Sequence, residues 1–170
     1  MIFIIGVDHD WYQHLSDWNV EYVNDLKVEV RYLITEEGVQ LIAEESSVAG
    51  LKKRGIEKTV AQEIADELEI PHKHIDPDLE EREVLGIRTR KDVAKSLGIG
   101  PPDEATEEDI AKINEDLKPD YRLREEEWLR RIESNMTANI AVVCGFQHVE
   151  SFQELLESRG YDSVVHVILD

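Results

Sequence analysis

Short apolar runs recur along the chain, and most end on a glycine or an acid. Ile2-Phe3-Ile4-Ile5 stops at Gly6. Val39-Gln40-Leu41-Ile42-Ala43 runs into Glu44-Glu45. His72-Lys73-His74-Ile75 leads to Asp76. Ile140-Ala141-Val142-Val143-Cys144 stops at Gly145, and Val164-Val165-His166-Val167-Ile168 is the last such run. Continuous runs of this length, without clean alternation, predict strands covered on both faces. Between them the period changes. Val20, Val23, Leu26, Val30 and Leu33 recur at helical spacing. Thr59 with Gln62, Thr106 with Asp109 and Ser151 with Glu154 carry the spacing of helix starts, and Gly160 that of a stop. Pro119 is expected to separate one helix from a second over about 120–134.

Alternating strand and helix predicts an α/β fold: a mostly parallel five-stranded sheet flanked by helices, joined by right-handed crossovers. Residues 79–135 hold no strand. They are read as a helical insertion or cap between strands 3 and 4, within a single domain over 1–170, because the segment is too short for its own core.

Composition adds three constraints. The 170 residues are 41% hydrophobic, which suits a packed domain. The formal net charge is -19, from 38 acidic and 19 basic residues, and this argues against a nucleic-acid partner, which needs a basic footprint. Such a surface is solubilising, and it also attracts cations. Cys144 is the single cysteine, so no intrachain disulfide forms. No apolar run approaches the roughly 20 residues that span a bilayer. The start, MIFIIGVDHD, lacks a basic leader and reads as a strand, so the expected location is cytoplasmic.

The candidate chemistry sits after the strands. Gly6-Val7-Asp8-His9 and Gly145-Phe146-Gln147-His148 place a histidine three residues past a strand-end glycine. Glu44, Glu45, Asp76 and Asp78 follow the second and third strands. In a parallel sheet these groups share the rim where α/β proteins bind ligands. Imidazoles with carboxylates suit a divalent transition metal such as manganese, cobalt, iron or zinc, and equally suit metal-free acid–base catalysis. Asp8 is either a ligand beside His9 or a turn residue, and Glu45 competes with Glu44. His72 and His74 lie on one strand face, a His-x-His that could bind metal, although an exposed edge position is the expectation. His14 reads as surface. Cys144 reads as buried rather than nucleophilic. Trp11, Trp18 and Trp128 read as core or cleft wall. No Gly-x-Ser-x-Gly, P-loop or Gly-x-Gly-x-x-Gly pattern is present.

In order along the chain, five stretches resemble the TraB/PrgY/TIKI group, within a wider set that includes erythromycin-esterase and ChaN-like proteins. Ile4-Ile5-Gly6-Val7-Asp8-His9 resembles the first Gly-x-x-His motif, and Leu41-Ile42-Ala43-Glu44-Glu45 the strand ending in glutamate. Ile75-Asp76-Pro77-Asp78-Leu79 resembles an Ile-Asp-Arg-Asp-Ile stretch with Pro77 for arginine. Arg124-Glu125-Glu126-Glu127-Trp128 resembles the Arg-Asp-x-x-Met/Trp helix, with Leu123 where a glutamate usually precedes it. Val142-Val143-Cys144-Gly145-Phe146-Gln147-His148 resembles the second Gly-x-x-His. The resemblance implies a metal-dependent hydrolase of peptide-like substrates, with ester hydrolysis or haem-iron binding among more distant relatives. By position it implies His9, Glu44 and His148 as metal ligands or the acid–base set. It implies Arg124 as the residue that orients a carboxylate or binds an anionic substrate group. Asp8, Glu45 and Asp76 are secondary candidates. The alternative is a non-catalytic module that holds a small-molecule or peptide ligand in the same cleft. Neither reading expects a membrane partner, and a homodimer is compatible with both.

Overall fold

The computed structural model describes residues 1–8 and 20–168. Five strands form one all-parallel sheet in the order β3-β2-β4-β1-β5. They are β1 (Ile2–Val7), β2 (Val39–Glu44), β3 (His72–His74), β4 (Asn139–Gly145) and β5 (Ser163–Ile168). The α/β fold expected from the alternating pattern is the fold observed.

Parity within each strand sorts side chains between two helical layers. Phe3, Ile5 and Val7 of β1, with Ile42, Ala141 and Val143, pack under α1 (Val20–Thr35) and α3 (Val60–Glu67). Ile2, Ile4, Leu41, Ala43, Ile140 and Val142 face the other way. They pack under the C-terminal half of α6 (Glu107–Ile132) and under α7 (Val149–Ser158). The central strands β1 and β4 are buried on both faces, hence their unbroken apolar runs.

The crossover from β3 to β4 carries α4 (Leu79–Leu85), α5 (Arg90–Ser96) and α6. Its role is mixed. Trp128, Leu129 and Ile132 of α6 close the sheet, whereas Val93 and Ala94 of α5 make a separate small cluster with Ile113 and Leu117.

Two boundaries differ from the sequence expectation. The α6 helix runs unbroken for 26 residues through Pro119. Arg88 spans that point, bonding Asp116 Oδ2 at 2.8 Å, the Asp116 carbonyl at 2.7 Å and Asp120 Oδ2 at 2.8 Å. Burial of Trp128, Leu129 and Ile132 fixes the far half, so losing one backbone donor does not end the helix. Ser151 does not start a helix either, because α7 begins at Val149. Its hydroxyl is turned instead to Glu125 Oε1, at 2.6 Å. Gly160 does follow the end of α7, with φ at 79°, a left-handed conformation that glycine adopts at no steric cost. Among the described residues, no helix is long and apolar enough to cross a membrane.

Candidate metal centre and the buried rim network

The chain leaving β2 passes to the α3 layer, and the chain leaving β4 passes to the α7 layer. The crevice between the ends of these neighbouring strands is therefore a topological switch point, the usual place for a ligand in such folds. Glu44 and Glu45 stand at its edge. Because they are consecutive, they point to opposite layers.

Glu44 turns to the α3 side. Parallel pairing sets Ile42 beside His72 and Glu44 beside His74, so both histidines share the Glu44 face. His72 Nε2 lies 2.9 Å from Glu44 Oε2, and the Thr59 hydroxyl, at the N-cap of α3, donates to that same oxygen at 2.7 Å. His74 Nδ1 lies 2.7 Å from Ser46 Oγ. One ligand atom from each of Glu44, His72 and His74 falls within 4.8 Å of the others. The second carboxylate oxygen, Glu44 Oε1, is buried with no hydrogen-bond partner among the described residues. A buried carboxylate oxygen left unpaired is costly, and a cation is a partner that suits it. Burial, then the neighbouring His72, hold the His74 imidazole below its ordinary pKa, against the pull of Glu44. That favours the neutral form a metal requires. Three ligands of this kind are close enough to hold a divalent metal, and Thr59 orients the carboxylate from behind.

Glu45 turns to the other layer. Its Oε2 accepts from the Gly145 amide at 2.8 Å, and its Oε1 from Arg124 Nη2 at 2.5 Å. Arg124 also donates from Nε to Asp76 Oδ1 at 3.0 Å. Asp76 further accepts from Trp128 Nε1 at 3.0 Å and from Arg82. Burial works against the Arg124 charge, but Glu45 and Asp76 outweigh it and hold its pKa above the ordinary value. His148 lies fully buried next to this pair. Its Nδ1 is 2.8 Å from Glu125 Oε1, and its Nε2 is 3.3 Å from Arg124 Nη1. Tyr121 and Trp128 meet the imidazole edge-on.

The sequence grouping of His9, Glu44 and His148 thus takes a different form. His9 lies outside the described residues, as do His14, Trp11 and Trp18. Glu44 and His148 lie on opposite faces of the sheet and share no ligand set among the described residues. A guanidinium beside His148 Nε2 also opposes a second cation there. Arg124 does orient carboxylates, but they are the chain's own Glu45 and Asp76. Asp8 is half-buried at the end of β1, its amide donating to the Tyr22 hydroxyl at 2.6 Å. Asp78 caps α4, and Cys144 is buried. Burial first, then Glu45 and Glu125, push the Cys144 thiol well above its usual range.

His72 and His74 are the correction. The expected exposed edge is instead a partly covered one, with side chains 7% and 19% accessible. Their spacing was the signal, and the register against β2 gives it meaning. Thr59 and Glu125 had no signal beyond a helix cap and an acidic helical run.

The chain matches no protein-family model, no curated protein and no solved structure.

Proposed function

We propose that the chain is a metal-dependent hydrolase of small peptide-like or ester substrates, with Glu44, His72 and His74 holding the metal. The observation that carries this reading is the convergence of those three side chains, with Glu44 Oε1 buried and unpartnered among the described residues. One carboxylate and two imidazoles suit zinc, cobalt, iron or manganese. When bound, such an ion polarises a carbonyl and supplies a nucleophilic water near neutral pH. The chain's own groups do the rest. Thr59 fixes the carboxylate, and Ser46 fixes the His74 ring. His74 opens onto a cavity of about 490 Å³, where Val48, Leu51 and Ile56 offer an apolar wall to the substrate body and Lys52 and Gln62 offer polar contacts. The ordered resemblance to the TraB-like group supports hydrolysis as the reaction class. In that light, Glu45, Asp76, Arg124 and His148 form a rigid support for the loops after β2 and β4.

One observation favours a second reading, a non-catalytic module that holds a ligand. His148 is buried with both ring nitrogens engaged, so the histidine of the second Gly-x-x-His has no nitrogen left for a substrate.

Elemental mass spectrometry decides the metal question, on wild type and His72→Ala/His74→Ala after loading and desalting. Near-stoichiometric metal in wild type and none in the variant is expected. Hydrolysis of p-nitrophenyl acetate and of a short unblocked peptide, before and after chelation, decides catalysis. Metal binding without turnover moves the conclusion to the binding module. Wild-type protein that takes up no metal overturns the proposal.

A further inference from the structure

The short helix α2 (Val48–Lys53) divides the rim into two hollows. Val48, Leu51 and Lys52 face the cavity beside His74, and Ala49, Gly50 and Lys53 face a larger one of about 590 Å³. Four cationic side chains line the larger cavity: Lys53, Arg54, Arg82 and Arg124. The same walls carry four acids, Glu45, Asp76, Asp78 and Glu80, so the balance here is even in a chain that has 38 acids for 19 bases.

Three of these carboxylates are committed, and the fourth, Glu80, is exposed to solvent. Glu45 is held by Arg124 and the Gly145 amide. Asp76 takes Arg82, Arg124 and Trp128. Asp78 accepts from the Glu81 amide in its capping box. Of the cations, Arg124 is committed to Glu45 and Asp76, whereas Lys53 and Arg82 keep unused donors among the described residues. Lys53 has no ion-pair partner among the described residues. Arg82 is clamped, with Nε donating to the Pro77 carbonyl at 3.0 Å and Nη2 to Asp76, so its Nη1 is held in place. That Nη1 has no hydrogen-bond partner among the described residues. A fixed guanidinium with an unused edge binds an acid at small entropic cost. Pro77 and Leu79 add apolar wall, and the volume suits a small molecule.

We propose that this cavity binds a small organic anion, a carboxylate or phosphate ester with a compact apolar body. Arg82 and Lys53 meet the acidic head, and Pro77 and Leu79 meet the body. A net charge of -19 repels anions from most of the surface, so the local cations decide where one settles. None of Glu44, His72 or His74 lines this cavity.

The test is titration of chelator-treated, metal-free protein with phenyl phosphate and with benzoate, followed by ligand-detected NMR and calorimetry in phosphate-free buffer. Phenol is the uncharged control. Saturable binding of one or both anions is expected, and the tighter one identifies the head group. Lys53→Glu should weaken binding roughly tenfold or more, the loss expected for a charge-assisted contact. Lys53 is exposed, so this variant should fold as wild type does, which circular dichroism checks. Lys52→Glu makes the same charge change on the other side of α2 and should leave binding nearly unchanged. Arg82→Lys keeps the charge but loses the fork, and should weaken binding as well. No saturation at millimolar concentration by either anion overturns the proposal. So does equal binding of phenol, or equal weakening by Lys52→Glu and Lys53→Glu.

Discussion

Thr59 performs two tasks with one hydroxyl. It accepts from the Gln62 amide at 3.2 Å, which caps α3, and donates to Glu44 Oε2 at 2.7 Å. Removing it leaves an uncapped helix and a less supported buried carboxylate. Thr59→Ala should therefore cost about 1–3 kcal/mol in urea denaturation of metal-free protein. It should also weaken metal affinity roughly tenfold or more, as the loss of an orienting partner does. Thr59→Ser retains both bonds and should recover most of each loss. Equal losses in Thr59→Ala and Thr59→Ser would show that the methyl, not the hydroxyl, matters. Arg124 is the counterpart on the other layer. Arg124→Ala leaves Glu45 and Asp76 without the cation between them, and should cost about 3–5 kcal/mol. Arg124→Lys should recover only part, since an ammonium cannot fork between two carboxylates. A cost below about 1 kcal/mol for the alanine variant would mean that other contacts hold the rim. Both glutamates were legible in the sequence as strand-end acids. Which layer each serves was not, because that depends on strand order and on where β2 ends.

Elements were more legible than the contacts between them. The runs at β1, β2 and β4 announce themselves because both faces of those strands are covered. The strand β3 is only three residues long, and its two histidines acquire meaning from pairing with Ile42 and Glu44, which no local pattern encodes. Pro119 misleads for a physical reason. Proline in a helix interior is costly, yet Arg88 bridges Asp116 and Asp120 on either side of it. Pro119 is itself exposed, so replacing it loses no core packing. Pro119→Ala should raise stability by about 1–3 kcal/mol, read from the urea midpoint. Arg88→Ala should destabilise the parent more than it destabilises the Pro119→Ala background, because the bridge matters most where the backbone bond is missing. A double-mutant cycle measures that difference directly. Strict additivity would show that Arg88 only pairs charges and does not splint the helix.

For the whole molecule, charge and the metal reading meet in one measurement. A chain with net charge -19 repels itself, so any added cation stabilises it to some degree by screening. A metal held by Glu44, His72 and His74 adds a second, specific gain, because the site exists only in the folded chain. At a hundredfold excess over Kd that gain is about 2.7 kcal/mol, or roughly 5–10 °C in Tm for a domain of this size. The two effects separate at matched ionic strength. Magnesium disfavours imidazole ligands, so it should raise Tm by screening alone. Zinc or cobalt should raise it further in wild type, with a dependence on concentration that saturates. His72→Ala/His74→Ala should lose the extra increment and keep the magnesium one. His148→Ala should lower Tm without metal, since it breaks the contact to Glu125, yet keep the full zinc or cobalt increment, because His148 faces the other layer. If the increment disappears in His148→Ala and survives in His72→Ala/His74→Ala, the metal belongs to the Gly-x-x-His rim, and Glu44 with its two histidines is a structural cluster.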